Sequence, residues 1–162
     1  MEVVYPGTFD PFTNGHLDVV RRGIKVFGSL TVAVAEGGSK KTLFPLAERV
    51  ALVRESVEGL SEVRVTDFSG ALVDFLDRAG ARTVLRGLRT LSDYDYEMQM
   101  SLFNRQLDPR VETVFVVASP DHAAISSGLV KEVAELGRDV SAFVPEPVGA
   151  ALRRRFRRRG RR

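Results

Sequence analysis

Twelve residues near the start, Tyr5-Pro6-Gly7-Thr8-Phe9-Asp10-Pro11-Phe12-Thr13-Asn14-Gly15-His16, bring together the residue types that an anion-binding turn requires. Gly7 and Gly15 let a ligand approach the main chain closely, while Pro6 and Pro11 hold the intervening loop extended. His16 falls in the first turn of a predicted helix, where unpaired backbone N–H groups and the positive dipole end favour negative charge. The chemistry so assembled is phosphate binding.

Three further polar clusters carry groups suited to the same task. Lys40-Lys41 lies in a polar loop, Arg86-Gly87-Leu88-Arg89 follows an apolar run, and Ser126-Ser127 precedes another helix. Arginine's bidentate fork grips phosphate, and serines at a helix start offer hydroxyls and N–H groups. Each cluster also has a plain reading: the lysines as solvated charge, RGLR as an exposed strand end, the serines as caps. Thr13-Asn14-Gly15-His16 alone is equally a capped helix followed by a surface histidine. Its position directly after a strand and the YPGTFDP segment favours the site. Neither the G-x-G-x-x-G fingerprint nor a P-loop occurs, so this turn is the main phosphate cradle.

The elements that must position these groups alternate. A strand at Glu2-Val3-Val4-Tyr5 leads into a helix with apolar positions Leu17, Val20, Ile24 and Phe27, stopped by Gly28. Leu30 to Ala35 is a second buried strand. Pro45 starts a helix carrying Leu46, Val50, Val53 and Val57 and ending at Gly59. Val63-Arg64-Val65 is a short strand, Ala71 to Ala79 a helix stopped by Gly80, and Thr83-Val84-Leu85 a strand. A helix from about Ser92 to Leu107 carries Tyr96, Met100 and Phe103. Val114 to Ala118 is the most apolar strand, and helices beginning at Ser126-Ser127 and near Pro147 complete the chain.

Such alternation predicts an α/β fold: a Rossmann-like, doubly wound, five-stranded parallel sheet with helices on both faces and right-handed crossovers. Ligands bind such sheets outside the carboxyl ends of the strands, where the strand order reverses. All four polar clusters follow strands and are expected to converge on that rim.

The chain has 162 residues, 44% of them hydrophobic, which suits one well-buried core. One domain over residues 1–152 is expected, with 153–162 as a disordered arginine-rich tail. Eight arginines occupy the last ten residues; without them the formal charge falls from +3 to −5. The basic character therefore belongs to the tail, read either as a solvated end or as a patch for RNA, a membrane surface or an acidic partner. No segment approaches the roughly 20 apolar residues of a membrane span, and Met1 leads straight into a strand without a signal segment, so a cytoplasmic location is expected. The absence of cysteine excludes disulfides, thiolate metal sites and cysteine nucleophiles.

YPGTFDPFTNGH, with its [HT]xGH pattern of the nucleotidyltransferase superfamily, resembles the signature of the bacterial phosphopantetheine adenylyltransferase family nearly residue for residue. Other landmarks agree in order and spacing: Ser39-Lys40-Lys41, Glu48-Arg49-Val50, Arg86 to Arg89, Asp95-Tyr96-Glu97-Met98-Gln99, Asn104-Arg105, Ile125-Ser126-Ser127 and Leu129-Val130-Lys131-Glu132-Val133. The resemblance spans residues 1 to 152.

It implies reversible adenylyl transfer from ATP to 4′-phosphopantetheine, giving 3′-dephospho-coenzyme A and pyrophosphate. By that resemblance His16 stabilises the transition state, with Lys40 and Arg89 completing the catalytic set. ATP would be bound by Thr8, Phe9, His16, Gly87, Leu88, Arg89, Glu97 and the segment His122, Ala123, Ala124, Ile125, Ser126, Ser127, Gly128. The acceptor would be bound by Thr8, Lys40, Leu72 and Arg86. His122 stands where an aromatic residue is usual, Ala123-Ala124 where Ser-Phe is usual, and Gly128 where a third serine is usual. Mg²⁺ is expected to arrive with ATP, with no protein-built metal site. A homohexamer is implied, with no specific nucleic acid and no membrane partner. Another nucleotidyltransferase of the superfamily, or a nucleic-acid-binding protein acting through the tail, are the alternatives.

Overall fold

In the computed structural model, which describes residues 2–37 and 41–157, five strands alternate with helices. The order is β1 (Val3–Gly7), α1 (Asn14–Phe27), β2 (Leu30–Ala35), α2 (Leu46–Ser56), β3 (Val63–Phe68), α3 (Leu72–Ala79), β4 (Thr83–Leu88), α4 (Leu91–Leu107), β5 (Glu112–Val117), a 3-10 turn (Pro120–His122), α5 (Ser127–Glu135) and α6 (Glu146–Arg157). The strands form one parallel sheet in the order β3-β2-β1-β4-β5, so the expected doubly wound architecture is present.

Side chains alternate across the sheet with the period of two that pleating imposes. Val3, Tyr5, Leu30, Val32, Val34 and Leu85 point into the larger core, which α1, α2, α5 and α6 cover. Val4, Ala33 and Val84 point into a smaller cluster with Leu76, Phe68, Leu72 and Phe75 on the side of α3. At Gly87, an added Cβ would sit 2.7 Å from Val19 Cγ2, so only glycine lets β4 approach α1 this closely.

The chain order reverses between β1 and β4, and the ladder opens there. Pairing of these two strands is limited to Val3 with Thr83 and Val4 with Val84, while β4 stays paired with β5 as far as Leu88 opposite Val117. Arg86, Gly87 and Leu88 therefore lie inside β4, which continues three residues past the Leu85 to which the strand was expected to run. The reason is that the β5 ladder continues to hold them after β1 has diverged. The arginine run also begins within an element: Arg153, Arg154, Arg155 and Arg157 belong to α6, and residues 158–162 lie outside the described part.

Candidate active site

Thr13 caps α1, and its partner is His16. The His16 backbone N–H donates to Thr13 Oγ1 at 3.3 Å, and the Thr13 backbone N–H donates to His16 Nδ1 at 3.0 Å. This is a capping box in which histidine takes the place usually held by Glu or Gln. An Nδ1 that accepts a hydrogen bond must be unprotonated, so the neutral ring carries its proton on Nε2. Burial, aided by the charges of Arg89 and Arg86, pushes the His16 pKa down to about 3. The ring is further fixed by Phe9, whose plane meets it edge-on at 5.1 Å and 88°.

Phe9 reaches that position through a left-handed backbone, with φ of 48°. Gly7 makes this possible, because a Cβ there would lie 2.8 Å from the Phe9 ring. The aromatic ring is thus turned inward against Tyr5 and Phe12, and the Thr8-Phe9 main chain borders the cleft.

Two helix N-termini face the same space. Among the described residues, the Asn14 N–H is taken by Phe143 O and the Leu17 N–H by Thr13 O, leaving the Gly15 N–H without an acceptor in the first turn of α1. At α5, the Ser126 hydroxyl accepts from the Leu129 N–H at 3.1 Å, and the Ser127 hydroxyl donates to Pro11 O at 2.8 Å. Ser127 thereby gives its only hydroxyl proton to a folding contact, whereas Ser126 gives only a lone pair. This end thus offers an anion the backbone N–H groups of Ser127 and Gly128 and the hydroxyl proton of Ser126.

The two arginines stand opposite. Arg86 donates from Nε to Glu97 Oε2 at 2.6 Å and from Nη2 to Glu97 Oε1, while its Nη1 donates to Pro6 O at 2.5 Å, across the gap where β1 and β4 part. Burial opposes the Arg86 charge, but the Glu97 carboxylate more than restores it. Of five guanidinium N–H groups, these bonds use three and leave two for a ligand. Arg89 is held by the Asp93 carboxylate at 2.9 Å and by Ile125 O at 2.6 Å.

These groups enclose a cleft of about 480 Å³ that brings together Thr8, Phe9, His16, Arg86, Gly87, Arg89, Glu97, Ile125, Ser126, Ser127 and Gly128, all expected from the sequence. Leu72 lines an adjoining hollow of about 220 Å³ that shares Thr8, Arg86 and Glu97 with it. Leu88, His122, Ala123 and Ala124 do not line the cleft. His122 lies behind the start of α1, its Cβ 3.9 Å from the position a Gly15 Cβ would take, with Nδ1 buried and unpartnered among the described residues. Lys40 lies outside the described residues; Lys41 beside it lines the cleft. A larger cavity of about 810 Å³ sits between the end of α5 and α6, remote from every one of these groups.

Other members of the site carried no local signal. Asp10 is buried and accepts from the Leu43 N–H at 2.8 Å, the Phe44 N–H at 3.0 Å and Lys131 Nζ at 2.8 Å. Burial acts to raise its pKa, but these three donors outweigh that and hold the carboxyl below its usual value. Asp18 accepts from the Ser119 hydroxyl at 2.8 Å and Arg22 donates to Val117 O, bracing α1 against the end of β5. One ion pair of the site was open to periodicity, Asp93 four residues after Arg89. Asp10 finds its partners 33 or more residues away.

Among the described residues no group of three or more His, Cys, Asp or Glu side chains could hold a metal ion, and no helix is long and apolar enough to cross a membrane.

The cytidylyltransferase-like family model matches residues 4–133, which include His16 and both arginines. The chain is 48% identical over 153 residues to a phosphopantetheine adenylyltransferase of Heliobacterium modesticaldum, covering 94% of this chain and 91% of that protein. It is 50% identical to one of Thioalkalivibrio sulfidiphilus, covering 94% and 96%. In fold it is similar to a bifunctional NMN adenylyltransferase/ADP ribose pyrophosphatase of Francisella tularensis, with a TM-score of 0.72 at 11% identity over 94% of this chain. The chain spans about half, 48%, of that longer protein. A histidine set as a donor between two helix N-termini, on a sheet of this order and in a chain so similar to these relatives, leads to one assignment: the chain belongs to the cytidylyltransferase-like family and, within it, to the phosphopantetheine adenylyltransferases.

Proposed function

We propose that the cleft transfers the adenylyl group of ATP to the phosphate of 4′-phosphopantetheine, giving 3′-dephospho-coenzyme A and pyrophosphate. The observation that carries this reading is the tautomer of His16. A neutral imidazole with its proton on Nε2 is a hydrogen-bond donor and not a base, and the reaction needs no base. A phosphate monoester has its second pKa near 6, so the acceptor oxygen is already ionised at neutral pH. That oxygen attacks the α-phosphorus of ATP, a new P–O bond forms, and the bond to the β-phosphate oxygen breaks with both electrons leaving on pyrophosphate.

Catalysis then reduces to bringing two polyanions together and stabilising charge on the α-phosphate. In this reading His16 Nε2–H donates to an α-phosphate oxygen. Arg89 and the N–H groups at the start of α5 hold the leaving phosphates, while Thr8, Arg86 and Lys40 hold the acceptor phosphate. The hollow beside Leu72 gives a long acceptor somewhere to lie, which favours pantetheine chemistry over a smaller phosphate acceptor. ATP enters as its Mg²⁺ complex, the triphosphate and water supplying the ion's ligands. The work so described belongs in the cytoplasm.

The same reading includes self-association into a homohexamer. Tyr96, Met100, Phe103 and Leu107 form a stripe at helical spacing along α4, and 61%, 38%, 56% and 55% of their respective surfaces are exposed. A stripe of this size on solvent marks a surface for another protein, here further copies of the chain.

Mixing the protein with ATP, Mg²⁺ and 4′-phosphopantetheine and following pyrophosphate release tests the central reading. Release above the no-acceptor control is expected, and its absence sinks the proposal.

A further inference from the structure

Arg49 is the largest fully buried side chain, 1% exposed, although it carries a full charge. Its hydrogen bonds among the described residues all go to carbonyl oxygens. Nε donates to Phe44 O at 3.1 Å, Nη1 to Thr8 O and Ala35 O at 2.6 Å each, and Nη2 to Glu36 O at 2.7 Å. These carbonyls belong to three segments: the loop after β1, the exit of β2, and the chain entering α2. Asp10 and Glu36 support the charge only from a distance, against the cost of burial.

The arrangement joins two walls of the cleft. Thr8 stands on one; Lys41 and Thr42 stand on the other, on a loop whose two feet, Ala35-Glu36 and Phe44, are both tied to this guanidinium. The main chain of Phe44 is held on both sides of its Cα, since its N–H donates to Asp10 and its carbonyl accepts from Arg49. A planar fork dictates where its acceptors sit, which an ammonium cannot do. The fork supplies donors to four carbonyl oxygens that would otherwise lack them, and in doing so it fixes where the three segments lie relative to one another.

We infer that Arg49 is a positioning residue for the acceptor: it sets the separation between the Thr8 wall and the Lys41–Thr42 wall. This rests on the reading that the cleft binds a phosphate-bearing acceptor. Small misplacements of binding groups cost catalysis heavily, so the spacing itself is functional.

Arg49→Lys retains the charge and loses the fork. Steady-state kinetics on the folded variant should show the KM for 4′-phosphopantetheine raised about tenfold or more, with the KM for ATP changed less than about threefold. A merely structural arginine would lower the melting temperature and leave both constants alone. An acceptor KM within about twofold of the parent protein overturns the inference, whatever happens to stability. If the lysine variant does not fold, Gly37→Ala decides by the same criterion. Its φ of 112° and the 3.1 Å approach of a Cβ to Thr42 Cγ2 displace the same loop foot while keeping Arg49. No pyrophosphate from the parent protein under the same conditions would instead refute the acceptor reading itself.

Discussion

The backbone N–H of Thr13 donates to Nδ1 of His16 across 3.0 Å, and that bond places the ring's only proton on Nε2. One capping interaction therefore does two things: it closes the first turn of α1 and selects the tautomer that can donate to a phosphate.

His16 is expected to stay neutral throughout the working pH range. Its folded pKa of about 3 lies below the value of about 6.5 for an unfolded histidine, so between these values the unfolded chain binds the extra proton. This group thus costs stability as pH falls below about 6.5 and contributes no slope above it. Imidazole NMR should show no His16 midpoint between about pH 5 and 8, and a midpoint near 6.5 would refute the tautomer argument. His16→Ala should lower turnover by roughly 10²–10³ with the fold intact, and a loss below about threefold would remove the residue from the chemistry.

Glu97 holds Arg86 through two hydrogen bonds while Pro6 O takes a third N–H. Glu97→Gln should leave the guanidinium less firmly aimed and raise the acceptor KM, with a stability loss of about 2 kcal/mol, less than for a fully buried pair. An unchanged acceptor KM would show that Arg86 does not depend on this partner.

Gly128 has open space where a side chain would go, with nothing within 4 Å of an added Cβ. Gly128→Ser should fold at least as well, since serine suits a helix better by a few tenths of a kcal/mol. Because Ser127 already gives its proton to Pro11 O, a new hydroxyl adds a second O–H donor for ATP beside that of Ser126. The KM for ATP should fall by about two- to tenfold, the worth of one hydrogen bond. A rise in that constant would count against triphosphate binding at this helix end.

Asp10 has a depressed folded pKa, so its contribution is present above the unfolded value of about 3.9 and is lost as pH falls through the lower folded value. Acid denaturation of Asp10→Asn should therefore begin from a lower plateau and show a shallower acid limb than the parent protein. Parallel acid limbs, measured by circular dichroism, would show that Lys131, Leu43 and Phe44 do not stabilise the carboxylate.

Local sequence carried the element order because each signal is local: apolar spacing, a cap, a glycine stop. It determined the five strands, the strand-to-helix turn at Gly7 to His16, and the polar clusters that follow strands. Tyr96, Met100 and Phe103 show the limit of that information. Their spacing marks a helix face, and only the packed sheet reveals that this face looks outward.

The first helix and its histidine were legible at residues 13–16, since cap and ligand lie within one turn. Tertiary structure alone decided that β1 and β4 part after Val4, that Arg86 reaches across to Pro6 O, and that the Ser127 hydroxyl donates to Pro11 O. It also decided that a buried Arg49 ties Thr8, Ala35, Glu36 and Phe44 together. The physical reason is separation along the chain. A capping box is encoded by residues three apart, whereas the contacts to Pro6 O and Pro11 O join segments 80 and 116 residues apart, and that of Arg49 to Thr8 O spans 41; they exist only once the sheet has brought its strand ends to one rim.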